Sequence, residues 1–186
     1  MKQGIGLLFW GFFFVLIDIN VMRIDLIPDF IGYFMVLTGV KKLEAQGLAF
    51  PRVRPILILL AILSIPGTIQ WGTINLIDQG VQPTSLFHLG ILSSLVFMSL
   101  HLMVGVGILQ GLRKQALEME NQSLASKGQQ GIYSYTVSTF LLLLIYPFVI
   151  NTSLYVGTLL FIGIGIAYII IQLIFLFFLR SFRISL

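Results

Sequence analysis

The chain has 186 residues, 58% of them hydrophobic and only 10% charged, with a mean hydropathy of +1.01. A soluble domain carries about 25% charged residues, so this composition excludes a water-coated globule and points to an integral membrane protein. The net charge of +4 is expected to report loop asymmetry and not nucleic-acid binding, and the lack of cysteine excludes disulfides, thiolate metal sites and a cysteine nucleophile.

A membrane-crossing helix needs about 20 apolar residues, and the chain offers six such runs in one membrane domain, 1–186. They cover about 4–22, 24–40, 55–75, 86–112, 133–150 and 153–179. None alternates, and all are too long for buried strands, so the expected fold is all-α: a polytopic bundle of about six transmembrane helices. The first run lacks a small-x-small cleavage site and reads as an uncleaved span. The second is near the lower length limit. Pro66 and Pro147 interrupt helical runs, where kinks are expected.

Basic residues give the orientation. With the N-terminus inside, the inner segments hold Lys2, then Lys41, Lys42, Arg52 and Arg54, then Arg113, Lys114 and Lys127, then Arg180 and Arg183. Of the 11 basic residues only Arg23 is left outside. The positive-inside rule therefore places both termini in the cytoplasm of a cell whose plasma membrane the chain crosses several times. Glu44, Glu118 and Glu120 share the inner side, while Asp18, Asp25, Asp29 and Asp78 fall at the outer one.

The inner segment 113–131 is the longest polar stretch. Lys114 and Glu118 stand at i, i+4, which favours a helical extension of span four. Gly128 and Gly131 are expected to break it before span five. The segment reads as a solvated connector ahead of a docking surface, and the basic loops as topology determinants ahead of contacts to anionic lipid. Gly107 and Gly111 have small-xxx-small spacing in span four, and Gly157, Gly163 and Gly165 line span six. Packing within the molecule is the first reading; a seam for a homo-oligomer or a membrane-protein partner is the second. Asn151-Thr152-Ser153 matches a glycosylation sequon but lies too close to the membrane to count.

The most distinctive segment joins spans one and two, from Arg23 to Tyr33. Pro28 suits a first helical turn, Asp25 is the expected N-cap, Asp29 complements the helix dipole, and Gly32 permits close helix approach. The string Asp25-Leu26-Ile27-Pro28-Asp29-Phe30-Ile31-Gly32-Tyr33 resembles the signature of small, uncharacterised multi-pass bacterial membrane proteins, which place it just after a first span. It is also similar to the core of the YkvA-like bacterial domain of unknown function. That pattern continues to paired aspartates where this chain has Phe34-Met35. The resemblance implies a bacterial membrane setting and no activity.

Ionisable residues inside spans carry the functional expectation. An acid at a helix centre costs roughly 2.5–3.5 kcal/mol, less near the interface. Asp18, about a turn inside span one, is the leading ligand-binding candidate, with Arg23 its nearest counter-ion, and Asp29 lies deeper than Asp25. Gln70, Trp71, Asn75 and Asp78 close span three and His88 opens span four. Together with Asn20 they stand at the depth of an outer vestibule, although Trp71 alone suits an interface anchor. His101 sits mid-span, as an imidazole bonded across helices or as a proton relay. His88 and His101 are separated by about 220° around a helix and make no metal face. No zinc-protease pair, phosphate loop or nucleophile elbow occurs.

The expected function is therefore non-enzymatic and without cofactor. It is binding or transport of a cation or small polar solute through an outward-facing acidic vestibule. The alternative is an accessory or regulatory subunit that acts by helix packing and cytoplasmic loop contacts. Against transport stands the lack of an inverted repeat or of matched broken helices.

Overall fold

A computed structural model of the chain describes residues 1–17, 20–21, 24–25, 28–65 and 83–185. Among these residues the elements are α1 (Lys2–Leu16), β1 (Asn20–Val21), β2 (Ile24–Asp25), α2 (Asp29–Glu44), α3 (Val53–Ser64), α4 (Pro83–Glu118), α5 (Gln122–Ile150) and α6 (Leu154–Ser185). The protein is helical, and three stretches, Gly90–Glu118, Gln122–Ile150 and Tyr155–Ser185, are long and apolar enough to cross a membrane. Helices α1 and α3 are apolar but shorter.

The first two helices stop short of their expected ends. Helix α1 ends at Leu16 rather than near Met22, because Asn20–Val21 pairs antiparallel with Ile24–Asp25, Asn20 opposite Asp25 and Val21 opposite Ile24. Helix α2 starts at Asp29 and not near Ile24. Pro28 occupies its N-cap at φ −54° and ψ 133°, with no side-chain capping bond. The expectation that Asp25 caps this helix is thus corrected: Asp25 is held in strand pairing, and proline disfavours helical backbone in the residue before it. Pro66 lies outside the described residues. Helix α5 continues through Pro147.

A second correction concerns the polar segment. Helix α4 extends to Glu118 with Lys114 Nζ 3.9 Å from the Glu118 carboxylate, but the chain breaks at 119–121 and not at Gly128 and Gly131. Glu120 adopts φ 57°, and Asn121 caps α5 by accepting the Leu124 N–H at 3.0 Å. Gly128 and Gly131 lie inside α5, where a Cβ would come within 3.0 Å of Phe182 and 3.1 Å of Phe178. Their lack of side chain serves helix approach, which in a membrane protein outweighs glycine's low helix propensity.

Each helix packs on the next, and α6 closes the ring on α1, with α4 also touching α6. Gly105–Tyr135 with Gly128–Arg113, Tyr135–Gln172 with Tyr146–Phe161, and Phe12–Phe175 with Gly6–Arg183 show these neighbours running antiparallel. One end of the bundle therefore gathers the ten basic residues assigned to the inner segments, together with the Arg54–Glu44 pair at 3.4 Å. The other end holds Asp29.

The tightest seam joins α1 to α2. Gly4 and Gly11 are seven residues apart, two turns on one face, and so are Gly32 and Gly39. A Cβ on Gly11 would stand 2.7 Å from the Gly32 carbonyl oxygen, one on Gly32 equally close to that of Gly11, and one on Gly39 2.9 Å from that of Gly4. The backbones touch, so no side chain fits. In α4, Gly107 faces Val53 and Gly111 faces Phe50 and the Ala49 carbonyl, which seats the α2–α3 loop and the start of α3 against α4. Outside the ring, α6 exposes Tyr155, Leu159, Ile162, Ile166, Ile170 and Phe177. A soluble monomer rarely exposes so continuous an apolar face; hydrocarbon solvates it at no cost. Hydroxyls on this scaffold bond to their own helix, as Ser93, Ser94 and Ser99 do to carbonyls three or four residues back.

Candidate functional site

Asp29 and Tyr33 are four residues apart on α2 and share one face. Tyr33, 1% exposed, reaches across the ring to His101 of α4, with 2.5 Å between its hydroxyl oxygen and His101 Nε2. His101 is 5% exposed and lies among aromatic rings, with Phe12 and Tyr168 edge-on at centroid distances of 6.1 and 6.3 Å. Beyond them Gln172 Nε2 donates to the Tyr135 hydroxyl at 3.0 Å. Phe175 packs between Phe12 and Tyr135, 5.0 Å from each ring centroid.

A cavity of about 440 Å³ lies above this layer. It is bounded by Val15 and Asp29 at the helix ends, by Ser94, Phe97, Met98 and His101 along α4, by Tyr146 of α5, and by Phe161, Ile164, Gly165 and Tyr168 of α6. Tyr33 completes the wall. Among the described lining residues Asp29 is the one carboxylate, and there is no Lys or Arg. Tyr146 and Ser94 both border the cavity, and the Ser94 hydroxyl donates to the Gly90 carbonyl of its own helix at 2.9 Å.

His101 is left incomplete. A neutral imidazole has one N–H donor and one acceptor nitrogen. Tyr33 serves Nε2, whichever of the two donates, and Nδ1 has no hydrogen-bond partner among the described residues. Such a buried atom costs about 1–3 kcal/mol, and native proteins keep few of them. Thr139 Oγ1, fully buried on α5, is in the same condition.

Of the residues expected to line an outer vestibule, Asp29 is on the cavity. Asp18, Arg23, Gln70, Trp71, Asn75 and Asp78 lie outside the described residues. His88 belongs to the first turns of α4 and Asn20 and Asp25 to the paired strands, their side chains outside the described ones. His101, expected to bond across helices, does so with Tyr33. Sequence reasoning passes over Tyr33, Tyr146, Tyr168 and Gln172. The available signal is the i, i+4 spacing of Asp29 with Tyr33 and of Tyr168 with Gln172, each putting two polar tips on one face of a membrane helix. Among the described residues no group of three His, Cys, Asp or Glu side chains is placed to hold a metal ion.

Comparison with protein-family models, with curated proteins and with solved structures finds no match for this chain.

Proposed function

We propose that the chain is a six-span protein of the bacterial plasma membrane, with both termini cytoplasmic, that binds a small solute in an outward-facing cavity. The observation that carries the reading is the convergence of Asp29, Tyr33 and His101 on one space of about 440 Å³ within the helix ring. Small-molecule sites are concave, mostly apolar and furnished with a few fixed polar groups, and intramembrane ionisable residues default to function. The orientation rests on the basic end of the bundle, which belongs in the cytoplasm. Helices α1, α2 and α3 are shorter than a bilayer core at about 1.5 Å per residue.

The reading is one of binding without catalysis. Ser94 donates its hydroxyl to the Gly90 carbonyl at 2.9 Å, and His101 is engaged by Tyr33, so among the described cavity residues no nucleophile is paired with a base. The decisive experiment is a thermal-shift screen of small solutes against wild type and Gly165→Leu. Gly165 lines the cavity, and a Cβ added to it would meet nothing within 4 Å, so leucine there fills space without touching backbone. Solutes that stabilise wild type but not the filled variant support the reading, since a ligand of the folded state must raise its stability. A screen without such a solute contradicts it.

A further inference from the structure

A second concave feature lies on the outside of the ring, at its basic end. A groove of about 360 Å³ runs along α4 over Leu102, Val106 and Gln110, which stand about one turn apart on one face. Val53 and Ile56 of α3 wall it on one side and Thr136 of α5 on the other. Met103 at its edge is 53% exposed and belongs to a stretch apolar enough to cross a membrane, so the groove opens sideways toward hydrocarbon. From Leu102 to Gln110 the helix rises about 12 Å, close to the roughly 15 Å of hydrocarbon in one leaflet. The inner end of the groove is charged. Arg52 borders it there, exposed and with no ion-pair partner among the described residues. No Asp or Glu lines the groove, and Glu44 is paired with Arg54. The backbone of Arg52 is left-handed, at φ 67° and ψ −8°. Glycine or asparagine takes that conformation with less strain, so the backbone is not what calls for a guanidinium.

We infer that this groove binds an anionic phospholipid of the inner leaflet, one acyl chain lying along Leu102, Val106 and Ile56 and its phosphate meeting Arg52 and Gln110. Each half of such a molecule matches one part of the site. The apolar walls at membrane depth suit a chain that arrives from the bilayer, and a soluble anion would leave them unfilled. A guanidinium grips phosphate oxygens through paired N–H donors, and the Gln110 amide adds another donor. A zwitterionic lipid fills the same walls but brings its own ammonium beside Arg52. Basic side chains at the cytoplasmic surface attract anionic headgroups in general; the groove gives this one a fixed place for the chain as well. It shares no residue with the solute cavity. The inference therefore goes beyond the solute-binding reading and takes from it only the orientation, which names the leaflet.

The test titrates the full chain, purified in a nonionic detergent, with dioleoylphosphatidylglycerol and reads bound lipid by native mass spectrometry. Dioleoylphosphatidylcholine is the zwitterionic arm, dioleoylglycerol supplies chains without phosphate, and glycerol phosphate supplies phosphate without chains. Phosphatidylglycerol is expected to bind about tenfold tighter than any of the other three. Arg52→Asn should lower its affinity about tenfold, the scale of one hydrogen bond to a charged group. Arg180→Gln, an equal loss of charge at the same end of the bundle but on α6, should leave it unchanged. Asparagine tolerates left-handed backbone, so Arg52→Asn should melt at or above wild type without lipid, which separates lost binding from lost folding. Val106→Phe and Thr136→Leu, which fill the groove from α4 and from α5, should each weaken binding; if the first melts below wild type without lipid, the second decides. Equal binding of phosphatidylcholine, or an equal loss in Arg180→Gln, overturns the inference, since either marks lipid held without a specific site. Glycerol phosphate binding as tightly as the lipid overturns it too, as does affinity that survives Arg52→Asn or both filled variants. None of these outcomes bears on the solute cavity, which Gly165→Leu tests.

Discussion

The same substitution, glycine to alanine, should have opposite signs at two places in the molecule. At Gly32 the new Cβ would stand 2.5 Å from Val15 Cγ2 and 2.7 Å from the Gly11 carbonyl oxygen, and at Gly11 it would meet the Gly32 carbonyl at 2.7 Å and the Val36 backbone nitrogen at 2.8 Å. Side chains can swing aside, but a carbonyl oxygen in a helix cannot. Restoring an ordinary contact of about 3.4 Å moves α1 and α2 apart by about 0.7 Å along their seam. Overpacking of this kind costs about 1–3 kcal/mol, against which alanine returns up to about 1 kcal/mol of helix propensity. The net loss is about 1–2 kcal/mol, or roughly 2–8 °C in Tm for a chain of this size. At Gly163 and Gly165 nothing lies within 4 Å of the new Cβ, so the propensity gain stands alone and Tm holds or rises. The double variant Gly11→Ala/Gly32→Ala should lose less than the sum of the singles, because one helix displacement accommodates both methyl groups. Melting of the purified protein in one detergent, all variants in parallel, checks these signs. Gly11→Ala and Gly32→Ala melting at or above wild type would refute the backbone-contact seam.

Tyr33→Phe strips His101 of its partner on Nε2 and should cost about 1–3 kcal/mol in the same melting assay. Tyr33→Phe/His101→Leu, which removes both polar groups, should then lie closer to wild type than the singles predict; a silent Tyr33→Phe would contradict the bond. Orientation is open to single-cysteine labelling because the chain has no native cysteine. Ser123→Cys should react with an impermeant reagent only from the cytoplasmic side and Gln79→Cys only from outside, and reversal would overturn the proposed topology.

Much of this architecture is legible in the sequence, and the parts that are not fail for identifiable reasons. Apolar runs mark where helices lie because hydrocarbon tolerates only internally bonded backbone. Their ends are less legible: five of the nine residues 17–25 are apolar, which carries the run past the end of α1. The alternation of Ile17, Ile19 and Val21 with Asp18 and Asn20, which suits the pairing of Asn20–Val21 with Ile24–Asp25, is too short to stand out beside a long apolar run. Gly128 and Gly131 read as breakers by propensity, yet Phe178 and Phe182 against them favour a helix. The α1–α2 seam is readable, since both helices carry Gly-x6-Gly and the two pairs match when the helices run antiparallel. At the site, Asp29 and His101 stand out by charge and depth. Tyr33, Tyr146 and Tyr168 do not, because an aromatic residue in a membrane span reads first as apolar bulk. Which rings turn inward depends on the closure of α6 onto α1, a contact between the two ends of the chain.

The central claim, a cavity open to the outside within a membrane-embedded ring, is tested most directly by the reactivity of Gly165→Cys in intact cells. Gly165 borders the cavity, with free space over its Cα. A small, charged, membrane-impermeant thiol reagent added outside should modify this cysteine, and cavity-filling Ser94→Phe on the facing α4 should slow the reaction about tenfold or more by closing the path. Modification only after the cytoplasmic side is exposed, or no modification from either side, would contradict the account.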